Sequence, residues 1–145
     1  MHTNLDTSGN PFTDQEPWHS GLLELMKYTD LVMLDIKQID EQEHIKLTGH
    51  SNKNILAMAR ELSDMKKPVW IRHVLVPGGS DKDEYLHRLA DFIHTLSNVE
   101  RVEVLPYHTL GKFKWENLGL SYPLEGVNPP TQERIDNARK ILGAI

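Results

Sequence analysis

The segment DLVMLDIKQID, residues 30–40, carries the clearest evidence for the fold. Its apolar run is typical of a buried β-strand, yet it contains an acid, Asp35, and a base, Lys37, two positions apart. Successive side chains of a strand point to opposite faces of the sheet. The run therefore divides into an apolar face, formed by Val32, Leu34 and Ile36, and a second face, formed by Met33, Asp35 and Lys37. We expect the apolar face to pack under helices and the charged face to line a lumen or crevice.

Outward from this stretch, runs typical of strands alternate with longer stretches at helical spacing. The predicted strands cover residues 3–6, 31–37, 69–76 and 99–107, and the predicted helices cover 17–29, 52–67, 81–96 and 131–142. Thr131 is the expected N-cap of the last helix. Residues 108–130 are predicted to form a long loop, of a length that is more often functional than idle. Units of about 30 residues with this alternation predict an α/β fold with a parallel sheet.

Polar residues stand where each predicted strand ends, and the carboxyl ends of parallel strands carry the chemistry of such folds. They are Asp6 and Thr7 after the first strand, Asp35 and Lys37 in the second, Arg72 and His73 late in the third, and His108 after the fourth. Trp70, Arg72 and Val74 are expected to share one face, and Val102, Val104 and Pro106 to lead on to His108. Since burial of an unpaired charge is costly, the arrangement favours a functional site.

Structural explanations for the same residues stay open. Asp35 and Lys37 would also serve as an ion pair at a strand end, and Arg72 would also neutralise Asp35. Asp6 and the three residues after it resemble an ordinary turn. His73 is expected on the surface or against a helix. His44, His50, His87 and His94 show no ligand spacing, and we assign them no role.

Composition excludes several classes of function. The 145 residues carry a formal charge of −5, which argues against non-specific binding of nucleic acid. No apolar run is long enough to span a bilayer, and the N-terminus lacks the pattern of a signal peptide, so a cytoplasmic location is expected. The chain contains no cysteine, which excludes disulfides, thiolate metal sites and a cysteine nucleophile within it.

Four segments carry a resemblance that covers essentially the whole chain. LDTSG (5–9), DLVMLDIKQ (30–38), VWIRHVLVPGGSD (69–81) and EVLPYHTLGKFKW (103–115) look like consecutive motifs of the pyruvate formate-lyase activating enzymes, which are radical S-adenosylmethionine proteins. The resemblance implies the second part of a partial (β/α)6 TIM-like barrel with parallel strands, as a single incomplete domain over residues 1–145. It also implies an oxidoreductase that uses S-adenosylmethionine and a [4Fe–4S] cluster to generate a glycyl radical on pyruvate formate-lyase, with a flavodoxin-type electron donor.

The resemblance assigns roles to individual residues. By similarity, Asp35 and Lys37 would engage the methionyl part of S-adenosylmethionine, whose opposite charges need an anion and a cation at short spacing. Arg72 would lie near the ribose and carboxylate, and His108 near the nucleoside. A monovalent cation site is implied for four oxygen donors: Asp6, Thr7, the Met33 carbonyl and Asp35.

The chain departs from the family in its missing cluster loop, CxxxCxxC, and in its missing GGE strand. A cluster held by thiolates needs cysteines, so we expect the isolated chain to be inactive. One alternative is a half-barrel that binds a separate cluster-bearing chain through its open sheet edges. Another is a Schiff-base lyase that uses Lys37. The GKFKW segment, residues 111–115, is expected to dock the glycyl loop of the partner.

Overall fold

The computed structural model describes residues 1–144 and contains a sheet of four strands. The strands are Asn4–Thr7 (β1), Leu31–Asp35 (β2), Val69–Leu75 (β3) and Val99–Pro106 (β4). Neighbouring strands pair in parallel in the order β1-β2-β3-β4. The predicted α/β fold with a parallel sheet is confirmed, and the carboxyl ends of all four strands lie at one edge of the sheet.

Six α-helices accompany the strands. They are Trp18–Lys27 (α1), Glu41–Thr48 (α2), Lys53–Asp64 (α3), Asp83–His94 (α4), Lys112–Asn117 (α5) and Gln132–Leu142 (α6). The four predicted helices are present as α1, α3, α4 and α6, although each is shorter than predicted. Thr131 is the N-cap of α6, since its side chain accepts a hydrogen bond of 3.3 Å from the backbone N–H of Arg134.

The hydrophobic core lies between one face of the sheet and the helices. Val32, Leu34 and Ile36 are fully buried there, as the alternation in β2 predicts. The helices contribute apolar side chains at helical spacing, including Leu62 of α3 and Leu86 of α4. Met33 and Asp35 point to the opposite face and are only partly buried. Burial of one strand face under helices therefore sets the direction of the charged face.

Two helices lie where the sequence predicts none. The side chain of Asp40 accepts a 3.1 Å hydrogen bond from the N–H of Glu43 and caps α2, and Gly49 ends this helix at φ +80°. The helix is polar and buries only His44, so it lacks the apolar stripe by which a helix is recognised. The second, α5, follows a 3₁₀ turn at Thr109–Gly111 inside the predicted 108–130 loop.

In β3 the predicted shared face of Trp70, Arg72 and Val74 is present, whereas the surface position considered for His73 and the face predicted for β4 are wrong. His73 is 2% exposed and lies on the core side of the sheet, with Nδ1 2.8 Å from the carbonyl oxygen of Ile36. Val102 and Val104 also belong to the core, so the prediction that they line the approach to His108 at the site is wrong. Arg101 and Glu103 occupy that face instead, because they alternate with the two buried valines.

The sheet is open at both sides, since β1 and β4 each pair with a single strand. Unpaired strand edges expose backbone N–H and C=O groups that can pair with another chain. None of the helices formed by residues 1–144 has the length and apolar character needed to cross a membrane.

Candidate functional site

The site lies on the face of the sheet that turns away from the core. We call this surface the open face and define it by its side chains at neighbouring positions of the four strands: Asp6, Met33, Asp35, Trp70, Arg72, Arg101 and Glu103. Pairing of Asp6 with Met33, of Asp35 with Arg72 and of Arg72 with Glu103 brings these residues together across the sheet. Residues that pair between parallel strands point to the same face, so the polar side chains collect there.

Arg72 is the centre of this group. Its Nη1 donates a 2.9 Å hydrogen bond to Oδ2 of Asp6, and its Nε lies 3.4 Å from Oδ1 of Asp35. The second contact is an ion pair without hydrogen-bond geometry, and both of its atoms are buried without a hydrogen-bond partner among the described residues. Two carboxylates thus share one guanidinium, which donates a hydrogen bond to Asp6 but makes only an ion-pair contact with Asp35.

Asp35 is a partly buried carboxylate whose charge is only partly compensated. Burial raises the pKa of Asp35, while the charges of Arg72 and Lys37 oppose this effect and the charge of Asp6 adds to it. The net shift is upward, so the surrounding cations do not compensate fully for the loss of hydration. For Arg72, burial lowers the pKa, but the hydrogen bond to Asp6 and the nearby carboxylates raise it overall. A cationic ligand group beside Asp35 would supply the missing compensation.

Lys37 lies two residues beyond the end of β2 and is partly buried. Its ammonium group has no hydrogen bond or ion pair with any residue of the described chain, unlike Arg72. It lines two adjacent cavities, of which the first also contains Asp35 and His44 and the second contains Val74, Tyr107 and Leu124. A cation that borders a cavity and has no protein partner is available to an anionic ligand group.

The four residues of the implied cation site lie at adjacent strand positions. Asp6 pairs with Met33 across β1 and β2, and Thr7 and Asp35 follow in the same strands. The Thr7 hydroxyl oxygen accepts a 3.0 Å hydrogen bond from the N–H of Gly9, and Asp6 binds Arg72. The region therefore offers oxygen donors that are already partly engaged. Among residues 1–144, no group of three or more His, Asp or Glu side chains is arranged to hold a metal ion.

His108 stands apart from the other predicted site residues. It is exposed, and its Nδ1 accepts a 3.4 Å hydrogen bond from the N–H of Leu110, which caps the 3₁₀ turn after β4. In the described chain it makes no hydrogen bond or ion pair to Asp35, Lys37 or Arg72. The structure thus gathers Asp6, Asp35, Lys37 and Arg72 and leaves His108 at the margin.

Sequence reasoning overlooked the charged residues of β4. Arg101 forms a 3.0 Å ion pair with Glu103, and its guanidinium lies 5.2 Å from the centre of the Trp70 ring. Glu103 also contributes to the raised pKa of Arg72. The alternation of charged and apolar residues in Arg101-Val102-Glu103-Val104 would have identified this face, because charges do not pack under helices.

Comparison with known proteins finds relatives along nearly the whole chain. It is 56% identical over 142 residues to the pyruvate formate-lyase-activating enzyme of Streptococcus mutans, a match covering 98% of this chain and 54% of that enzyme. The enzyme of the same name from Staphylococcus epidermidis is 55% identical, and the match covers 98% of this chain and 57% of that enzyme. The chain spans about half the length of the curated relatives it matches. No protein-family model matches it.

Solved structures share the fold at low sequence identity. A domain of a pyruvate-formate lyase-activating enzyme from Bacteroides vulgatus superposes with a TM-score of 0.76 at 22% identity, over 99% of this chain and 76% of that one. A radical SAM methyltransferase from Sphaerobacter thermophilus gives a TM-score of 0.63 at 18% identity, over 97% of this chain and 37% of that one. The four parallel strands and their helices are consistent with a partial TIM-like barrel.

The high sequence identity to these relatives over 98% of the chain confirms the family resemblance of its four motifs. Over a length that makes up about half of a pyruvate formate-lyase-activating enzyme, this chain is a homologue of that family.

Proposed function

We propose that the chain binds S-adenosylmethionine at the carboxyl ends of β1 to β3 and takes part in the activation of pyruvate formate-lyase. The observation that carries this proposal is the charge arrangement at the end of β2. Within residues 1–144 Lys37 forms no hydrogen bond or ion pair, and Asp35, whose charge is only partly compensated, lines the same cavity. An amino-acid group carries an ammonium and a carboxylate a short distance apart, so it complements this pair.

Arg72 and His108 complete the proposed binding residues. Arg72 holds Asp35 and Asp6 in place and has further donors to offer a ribose hydroxyl or a carboxylate. His108 follows β4 at the same edge of the sheet and, by family likeness, would approach the nucleoside. For the monovalent cation we propose Asp6, Thr7, the Met33 carbonyl and Asp35, whose oxygen atoms suit a hard ion.

The [4Fe–4S] cluster of the family does not fit this chain, which has no cysteine to hold it. When bound together with such a cluster, S-adenosylmethionine supplies the radical chemistry of the superfamily. We therefore propose that this chain provides the cofactor-binding part and that the cluster is supplied by a separate segment. The open face and the unpaired edges of β1 and β4 are surfaces on which such a segment would pack.

The substrate enzyme is proposed from the relatives' name, and the electron donor and the location are proposed from the family resemblance alone. The substrate is pyruvate formate-lyase, a glycyl radical enzyme, the electron donor is of flavodoxin type, and the location is the cytoplasm. The exposed side chains of Phe113 and Trp115 on α5 are proposed to contact the glycyl loop of the substrate enzyme.

Co-expression tests this function. The chain would be produced with a cysteine-bearing N-terminal segment of a relative, reconstituted anaerobically, and assayed for a glycyl radical on pyruvate formate-lyase by electron paramagnetic resonance. We expect a signal from the pair and none from either part alone. Lys37→Met should abolish the signal while the two parts still co-purify, and Lys140→Met, on the exposed side of α6, should leave it unchanged.

Two results would contradict the proposal. A glycyl radical signal from the reconstituted chain alone would show that no cluster-bearing segment is needed. Borohydride trapping of a carbonyl compound on Lys37, together with a failure to bind S-adenosylmethionine, would support a Schiff-base lyase instead.

A further inference from the structure

Lys37 lies in a segment without helix or strand, residues 36–40, that directly follows β2. Its ammonium group borders two cavities and makes no hydrogen bond or ion pair with residues 1–144. The guanidinium of Arg72, by contrast, is oriented by Asp6 and Asp35. A lysine side chain is a flexible four-carbon stem, so the position of Lys37 depends on how firmly its own backbone is held.

The backbone before Lys37 is held by β3. The N–H of Ile36 donates to the carbonyl oxygen of Arg72 at 2.9 Å. Nδ1 of the buried His73 lies 2.8 Å from the carbonyl oxygen of Ile36, which can only accept a hydrogen bond. Both backbone groups of Ile36 are therefore bonded, one of them to a buried side chain.

The backbone on the other side is held by two buried amide side chains, Gln38 and Asn52, which are 1% and 2% exposed. Nδ2 of Asn52 donates to the carbonyl oxygens of Gln38 and Ile39, at 3.0 and 2.8 Å. The Gln38 side chain donates to the carbonyl oxygen of Gly79 at 3.0 Å and accepts a 3.1 Å bond from the N–H of Asp40. These bonds join the segment to α3 and to the turn after β3.

Asn52 does not serve its own helix in the usual way. It stands at the N-cap of α3, where asparagine is favoured because its side-chain oxygen accepts a hydrogen bond from an N–H of the first turn. Asn52 makes no such bond, and its amide group donates to the segment after β2. The side chain thus holds residues 38 and 39 instead of capping the helix.

We propose that Asn52 and Gln38 are positioning residues, which hold the backbone around Lys37 so that its ammonium group is already placed for the carboxylate of a ligand. Ordering a mobile segment on binding costs free energy, and a backbone that is ordered beforehand avoids this cost. The inference rests on the proposed function, in which Lys37 is the cation that meets an amino-acid group, and it names the residues that keep this cation in place.

The test compares matched deletions in the full 145-residue chain. Asn52→Ala removes a buried amide beside the site. Asn98→Ala removes a buried amide that donates to the carbonyl oxygen of Lys67 at 2.6 Å, at the opposite end of the sheet. Each is made in the wild type and together with Lys37→Met, and the affinity for S-adenosylmethionine is measured by calorimetry. Gln38→Met, which removes both side-chain bonds of Gln38 at nearly the same length, repeats the test if Asn52→Ala does not fold.

We expect Asn52→Ala to bind S-adenosylmethionine about threefold to tenfold more weakly, which corresponds to the cost of ordering one side chain and its segment. With Lys37→Met already present, Asn52→Ala should change the affinity less than about twofold, because the side chain that it positions is gone. Asn98→Ala should lower the free energy of unfolding in urea and leave the affinity unchanged. In ¹⁵N relaxation the order parameter of the Lys37 amide should fall from about 0.85 toward about 0.6 in Asn52→Ala and not in Asn98→Ala.

The outcomes separate this inference from the proposed function. If the wild type binds S-adenosylmethionine, the inference is overturned and the proposed function stands when Asn52→Ala leaves the affinity unchanged, or weakens it equally with and without Lys37. An unchanged order parameter of the Lys37 amide in Asn52→Ala also overturns the inference. If the wild type does not bind S-adenosylmethionine, the proposed function fails. A fall in the order parameter confined to Asn52→Ala then supports the inference, and no fall overturns it.

Discussion

Replacement of Arg72 by methionine removes the guanidinium that Asp6 and Asp35 share, while it keeps much of the apolar stem. The side chains of Arg72 and Asp35 are 22% and 18% exposed, so their ion pair is mostly but not completely buried. Breaking a fully buried pair costs about 3–5 kcal/mol, because it leaves an uncompensated charge. The bond to Asp6, which is 56% exposed, contributes about 1 kcal/mol or less. We therefore expect Arg72→Met to lower the free energy of unfolding at pH 7 by about 2–3 kcal/mol.

The loss of stability caused by Arg72→Met should depend on the presence of Asp35 and on pH. In an Asp35→Asn background no buried charge is left behind, so Arg72→Met should cost only about 1 kcal/mol there. Burial raises the folded-state pKa of Asp35 above its unfolded value, and loss of Arg72 raises it further. Protonation of Asp35 then favours the folded state, so the loss caused by Arg72→Met should be largest at neutral pH and shrink as the pH falls toward about 4.

Urea unfolding of the wild type, both single variants and the double variant at pH 7 and pH 4.5 measures these effects as a double-mutant cycle. The expected coupling between Arg72 and Asp35 at pH 7 is about 1–2 kcal/mol. A coupling below about 0.3 kcal/mol would overturn this prediction, because the two side chains would then act independently. An equal loss of stability at the two pH values would also overturn it.

Three further predictions concern the scaffold around the site. Burial lowers the pKa of His73, so protonation favours the unfolded state. Below about pH 6.5 the free energy of unfolding should therefore fall by up to about 1.4 kcal/mol per pH unit, and His73→Gln should reduce this pH dependence in urea titrations. Asp40→Ala removes the cap of α2 and should cost about 1 kcal/mol in urea unfolding, whereas an equal loss in Asp40→Asn would speak against capping. Burial and the hydroxyl contact to Tyr122 raise the pKa of Tyr107 to about 12. Tyr122→Phe removes this contact, so it should lower the free energy of unfolding by about 1 kcal/mol and speed proteolytic cleavage between residues 108 and 130. An unchanged rate of cleavage would contradict this prediction.

The sequence was sufficient to predict the parallel sheet and the charged face of β2. Strict alternation around Asp35 decides which side chains are buried, and the same physical rule operates in the structure. The clustering of Asp6, Asp35 and Arg72 also followed, because parallel strands bring their carboxyl ends together. The roles assigned to these residues stay predictions.

The other features were not predicted, for different reasons. Polar α2 is capped by Asp40 and has no apolar stripe, so hydrophobic periodicity does not predict it. The open-face position of Arg101 and Glu103 was missed, although their alternation with Val102 and Val104 indicates it. His108 turns outward because it caps the following 3₁₀ turn, an interaction within the segment after the strand.

Binding of S-adenosylmethionine at the end of β2 is tested by calorimetry, in which the affinity of the 145-residue chain is compared with the affinities of Lys37→Met and Lys140→Met. Lys37 borders the cavity and forms no hydrogen bond or ion pair with the described residues 1–144, while Lys140 is exposed on α6. We predict that the chain binds S-adenosylmethionine, that Lys37→Met weakens binding about tenfold or more, and that Lys140→Met does not. Equal affinities of the wild type and Lys37→Met would overturn the proposed role of Lys37, and no binding by the wild type would overturn the proposed function.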